Sequence, residues 1–205
     1  TVILDFNISN SSNDAIPTTY GSNLAGAPNV ALTWISTLSA GWEHHTSSQW
    51  DMLEGKDGAT SPVDIAQIDN LIGGAQQPSG TPVKEILFTV DPGVMFQLNS
   101  WDMGHAGDQS EADYSWDLKL IKESDSSVVW STTTITMGAD DTTTISPNFT
   151  GEFGEDYRLS FVENGSTFTQ RGAIDNLSFN QVVPEPSAAA LLGLAGGMLL
   201  IRRRR

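Results

Sequence analysis

The chain has 205 residues, no cysteine and a formal charge of −15 at pH 7. Lack of a thiol excludes disulfides, thiolate metal sites and cysteine nucleophiles. Because four of the basic residues are the terminal arginines, residues 1–183 carry six basic side chains against 24 acidic ones, and a balance of −18 excludes a phosphate-binding nucleic-acid surface.

Glycine (19), proline (9) and abundant Ser, Thr, Asn and Asp separate short apolar runs, a pattern of many short strands in a single β domain. The chain starts at Thr1 without methionine and enters a strand at once, as expected after removal of a signal peptide. Residues 1–8 alternate, with Val2, Leu4, Phe6 and Ile8 on one side. A second strand is expected over 29–38. Ser61 as N-cap, Pro62 at the first position, Asp64 in the first turn, Ile65, Ile68 and Leu71 on one face and the stop Gly73-Gly74 predict one short helix. Ile86, Phe88 and Val90, then Val94, Phe96 and Leu98, flank the turn Asp91-Pro92-Gly93 and predict a hairpin over 83–100. Tyr114, Trp116, Leu118 and Leu120 mark the next strand, and runs at 128–137, 142–146, 157–162 and 173–179 bring the total to about nine, the spacing of an antiparallel β-sandwich.

The end of the chain is of another kind. Val183-Pro184-Glu185-Pro186-Ser187 leads into an apolar run, 188–201, closed by Arg202, Arg203, Arg204 and Arg205. From Ser187 to Ile201 a helix would be about 22 Å long, short of the ~30 Å hydrocarbon core but able to lodge there with its arginines on the cytoplasmic side. Pro184 and Pro186 hold an extended, accessible segment before it. This order of parts resembles the PEP-CTERM sorting signal of exosortase-dependent bacterial proteins. The resemblance implies passage through the secretory machinery, recognition by an exosortase near Pro184, Glu185 and Pro186, transient anchoring in the inner membrane, and delivery to the cell envelope or extracellular matrix, often beside exopolysaccharide. Residues 1–182 would be the sandwich body and 183–205 the sorting tail.

The body carries a shorter resemblance. Gly172-Ala173-Ile174-Asp175-Asn176-Leu177-Ser178-Phe179 is similar to the last strand of jelly-roll domains found in PEP-CTERM proteins and carbohydrate-binding modules, and Ile16-Pro17, Tyr20-Gly21-Ser22 and Leu32-Thr33-Trp34 are also familiar from such bodies. The resemblance implies a jelly-roll-like fold and carries a structural calcium role onto Asp175. If Asp175 shares a strand face with Leu177 and Phe179, its carboxylate needs a cation or donors, and Asp5 in the first strand is a candidate second ligand. The alternative is a bulge, or side-chain to backbone hydrogen bonds, at Asp175 and Asn176.

Trp42, Trp50 and Trp101 lie in or beside polar, loop-like segments and are candidate sugar-stacking platforms or end-packing residues; Trp34, Trp116 and Trp130 read as core. His44, His45 and His105 fit no zinc spacing, and Asp108, Glu111 and Asp113, or Asp140 and Asp141, do not match a helix-loop-helix calcium loop. There is no nucleophile elbow, phosphate-binding glycine loop or metalloprotease helix. The sequence therefore favours a non-catalytic envelope or matrix protein that binds polysaccharide or neighbouring proteins, over a glycan-active enzyme or a purely structural protein.

Overall fold

The computed structural model describes residues 1–6, 14–36, 42–47, 63–67, 82–105, 114–138, 141–163 and 172–183. They form an all-β sandwich of two antiparallel sheets. In chain order the strands are β1 (Val2–Leu4), β2 (Asp14–Ala15), β3 (Val30–Ser36), β4 (Glu43–Ser47), β5 (Val63–Gln67), β6 (Pro82–Val90), β7 (Met95–His105), β8 (Tyr114–Lys122), β9 (Val128–Ser131), β10 (Ile135–Met137), β11 (Thr142–Ile145), β12 (Phe149–Phe153), β13 (Tyr157–Glu163) and β14 (Gly172–Val182). The larger sheet runs β11-β7-β14-β5-β4-β2, with β1 also on β14 and β12 also on β7; the smaller runs β10-β8-β13-β6-β3, with β9 on β8.

Two-residue alternation sorts the side chains. On β13, Tyr157, Leu159 and Phe161 enter the core while Arg158 stays on the outer face, where its guanidinium meets Glu123 (2.8 Å) and Glu85 (3.3 Å). Burial works against the Arg158 charge, but the two carboxylates outweigh it and hold its pKa above the ordinary value. Phe88 and Phe96 stack at 4.4 Å, and Phe179 packs edge-on against Phe88. Gly151 is required beside this group: a Cβ there would lie 2.4 Å from the ring of Tyr157, whose hydroxyl accepts a bond from the Glu152 amide. Burial raises the Tyr157 pKa, and that amide bond partly offsets the rise.

Three expectations are corrected. Residues 83–100 are not a hairpin, because β6 belongs to the smaller sheet and β7 to the larger. Asp91-Pro92-Gly93 carries the chain between layers, which is how Phe88 and Phe96 come to face each other. Residues 63–67 are strand β5 rather than the start of a helix. Pairing with β4 along the whole strand, and with β14 at Ala66 and Gln67, engages their backbone groups, and that tertiary demand outweighs local capping signals. The run 128–137 is broken into β9 and β10, both paired to β8, and β2, β4 and β12 were not anticipated as strands.

The longest pairing is between β7 and β14, eleven residues each. Asp175 pairs with Asp102, Ser178 with Ser100, and Phe179 with Leu98. Between the first two pairs β14 contributes one residue more than β7; between the last two β7 contributes an extra residue, Asn99. Both strands therefore change phase by one. Ile174 and Met103 face the core on one side of the bulges, Phe179 and Leu98 on the other.

Deleting Asn176 alone should turn half of β14 inside out and cost more than about 4 kcal/mol, enough to threaten the fold. Deleting Asn99 and Asn176 together restores one-to-one pairing and should recover most of that stability in urea denaturation. If the double deletion is as unstable as the single one, compensation between the bulges is disproved.

Candidate functional site

The compensated bulges decide what the outer face of the larger sheet displays. Asn176 has φ 52°, the left-handed region that Asn tolerates better than other residues with a side chain. This extra residue corrects the expected face of Asp175: Ile174, Leu177 and Phe179 belong to the core, and Asp175 lies on the opposite side with Asp102, whose neighbours Trp101 and Met103 also point inward. Both carboxylates are enclosed nonetheless, at 0% and 7% exposure. The Nδ2 of Asn176 bridges them, 3.2 Å from Asp102 and 3.4 Å from Asp175; the Asn176 amide donates to Asp175 (2.7 Å), and Thr144 Oγ1 donates to Asp102 (2.5 Å). Bulge and local hydrogen bonds thus occur together.

This arrangement does not match a calcium site. Calcium takes six to eight oxygen ligands. Here the Asn176 amide nitrogen lies where a bridging cation would sit, and among the described residues no group of three or more His, Asp or Glu could hold a metal. Pairing of β1 with β14 does bring the chain start to the last strand, with Leu4 opposite Leu177, but Asp5 is exposed beyond it.

Further along β7 and β14 the outer face continues as a chain of polar side chains. Asn99 Nδ2 donates to Asn180 Oδ1 (2.7 Å) and Ser178 Oγ (3.2 Å), and Asn180 Nδ2 donates to Gln97 Oε1 (2.5 Å). The three amides are half-buried, so each keeps donors and acceptors toward solvent. Exposed Thr150 sits opposite Gln97. The next row is apolar: Phe153 and Val182 flank Met95, and Phe153 is 55% exposed. From Met95 to Asp102 the strip is about 23 Å long. It combines an exposed ring, able to stack on an apolar surface, with preset hydrogen-bonding groups.

The tryptophans named from sequence lie elsewhere. Trp42 (3% exposed) and Trp101 (0%) are core residues, not platforms. Trp42 Nε1 donates to the carbonyls of Ile35 (2.7 Å) and Glu85 (3.2 Å), its ring meets Trp34 and Phe161, and the Lys84 ammonium lies 5.5 Å from it. Trp101 packs edge-on against Trp130 and Phe161. Trp50, Asp108, Glu111, Asp113, Asp140 and the tail from Pro184 to Arg205 lie outside the described residues. Among the described residues no helix is long and apolar enough to cross a membrane. The residues missed were Gln97, Asn99, Asn180 and Phe153; alternation with Phe96 and Leu98 was a signal for Gln97 and Asn99 alone.

No family model and no curated protein matches the chain. Among solved structures, similarity extends to one described as "CBM4 structure and function", at 12% identity and TM-score 0.38 over 79% of this chain and 93% of that one. A Clostridium thermocellum endo-1,4-beta-D-xylanase 10B fragment, CBM22-1 with GH10 modules bound to xylohexaose, gives 11% and 0.41 over 82% of this chain and 28% of that one. An arabinose-bound α-L-arabinofuranosidase gives 12% and 0.39 over 87% and 26%. Likenesses this distant assign no activity.

Replacing Asn176 separates its two roles. Asn176→Gly should lose only the amide bonds, whereas Asn176→Ala adds the left-handed penalty and should be about 1–2 kcal/mol less stable than the glycine variant in chemical denaturation. Equal stability of the two variants would contradict the bulge conformation.

Proposed function

We propose that this chain is an exported, non-catalytic envelope or matrix protein that binds polysaccharide on the outer face of its larger sheet, and that its C-terminal tail is sorted by an exosortase after passage through the secretory machinery. One observation carries the binding half: the half-buried amide chain Gln97–Asn180–Asn99, ending beside exposed Phe153. Sugar rings offer a hydroxylated edge and an apolar face, which match amide groups and an aromatic ring respectively. Rows on a paired sheet hold these groups at fixed spacing, so little side-chain entropy is lost on binding. The sorting half rests on the sequence alone, on Pro184-Glu185-Pro186, the apolar run and the four terminal arginines.

Asp102 and Asp175, the carboxylate pair on this strip, are enclosed and bridged by the Asn176 side chain. Calcium belongs to this proposal only as a displacing ligand, since it would have to move the Asn176 amide from between the carboxylates. A melting temperature indifferent to calcium and chelator removes it.

Native affinity electrophoresis of the full-length chain through gels containing envelope or matrix polysaccharide tests the binding. Phe153→Ala and Asn180→Ala should each weaken retention by about tenfold while melting normally. Trp42→Ala and Trp101→Ala should instead lower stability by about 3–5 kcal/mol, as core deletions do. Retention by no polysaccharide, or retention untouched by Phe153→Ala and Asn180→Ala, sinks the proposal. Mass spectrometry of the protein from cells tests the sorting: loss of Arg202–Arg205 supports it, and an intact arginine terminus on cytosolic protein rejects it.

A further inference from the structure

The outer face of the larger sheet carries a second exposed apolar side chain, outside the strip described above. In β1, Val2 and Leu4 are buried, whereas Ile3 between them turns outward and is 61% exposed. Its partner in the pairing with β14 is Ser178, and directly opposed residues point to the same face. Ser178 Oγ accepts from Asn99 Nδ2, which also donates to Asn180. Ile3 therefore borders the amide chain on its β1 side, as Phe153 borders it on its β12 side. At this end of the sheet β14 and β7 lie between β1 and β12, so the two apolar side chains stand on opposite margins. They also stand at opposite corners: Ile3 is level with Ser178, and Phe153 is level with Met95 and Val182, further along β14. The offset along the strand is about 14 Å and the crossing from β1 to β12 is about 14 Å, which sets the diagonal at about 20 Å.

Resting on the polysaccharide-binding reading of the same face, we propose that Ile3 and Phe153 are the two apolar ends of one oblique track, and that the site selects extended chain segments long enough to reach both. The bound chain then crosses the strands from β1 to β12 over the amides rather than running along β7 and β14. A path along the strands leads instead to Asp102 and Asp175, which are enclosed and already hydrogen-bonded, and meets no exposed apolar side chain there. The diagonal presents an apolar group, then Ser178, Asn99, Asn180 and Gln97, then an aromatic ring. Carbon-bound faces of sugar units cover the two ends, and hydroxyls between them meet the amides. Once one end of a chain is held, contact at the other becomes intramolecular, so a spanning segment gains the second contact at high effective concentration. A fragment shorter than the diagonal reaches one end only. The length of the ligand, and not its composition alone, is thereby read by the spacing of two side chains.

The test uses the envelope or matrix polysaccharide that retains the full-length chain, partially hydrolysed and fractionated by size, each fraction titrated calorimetrically. Affinity should rise by at least about tenfold once fragments reach the length of the diagonal, and level off beyond it. Ile3→Ala should weaken the spanning fragments by at least about threefold and leave shorter ones, held at the larger Phe153 ring, unchanged. Phe153→Ala should weaken short and spanning fragments alike. Val128→Ala, which trims a comparably exposed side chain on β9 of the smaller sheet, should change neither. Because Ile3 is exposed, its alanine variant should melt as the wild type does. If Ile3→Ala leaves the spanning fragments unchanged, or weakens all lengths equally, the two-ended track is overturned while polysaccharide binding stands. Retention by no envelope or matrix polysaccharide overturns the parent proposal, and the track with it.

Discussion

The pairing of β7 with β14 works only because each strand carries one extra residue, Asn99 in the first and Asn176 near the corresponding point of the second. A sheet has a strict two-residue period, so a single insertion would send every apolar side chain beyond it to the wrong face. Two insertions, one per strand, shift both phases together and keep Phe179 beside Leu98 and Ile174 beside Met103 in the core. Burying a large apolar side chain is worth about 1.5–3 kcal/mol, so the several on each side of the bulges far outweigh the cost of about 1–2 kcal/mol for one left-handed residue. The bulges persist because the core requires them.

Their consequence for the outer face is chemical. Asp102 and Asp175 become cross-strand neighbours on that face, and two enclosed carboxylates would be costly without donors. The residue that creates the bulge also supplies a donor to both, since the Asn176 side chain bridges the pair. On the other side of the bulges, Asn99, Ser178, Asn180 and Gln97 link into one hydrogen-bonded chain whose rotamers are mutually fixed. A preorganised polar strip ending at an exposed phenylalanine follows from the same backbone irregularity that protects the core.

How much of this was legible depended on the range over which each signal acts. Strands β1, β3, β6, β7, β8 and β13 were readable because alternation such as Tyr157-Arg158-Leu159-Ser160-Phe161 is local and survives any topology. The turn Asp91-Pro92-Gly93 was readable as a turn, but nothing in three residues states whether the next strand joins the same sheet or the facing one. Helix capping signals at 61–64 lost to long-range pairing with β4 and β14. Trp42 and Trp101 looked peripheral because polar residues surround them in sequence, yet packing is decided by Trp34, Phe161 and Trp130, which are distant in the chain. The face of Asp175 hinged on one φ angle, and the Asp-Asn pair set between apolar Ile174 and Leu177 was the clue to it. The polar strip escaped notice because half-buried amides in a strand look like ordinary solvent-facing residues until their partners are known.

The most direct test is an NMR titration of the full-length chain with an oligosaccharide of matrix polysaccharide, following the side-chain amide resonances of Gln97, Asn99 and Asn180. Saturable shifts at these three groups and at the Phe153 ring, with the smaller sheet silent, are the expected result. Shifts confined to the smaller sheet, or none at all at concentrations where the polymer retains the protein, would contradict the account.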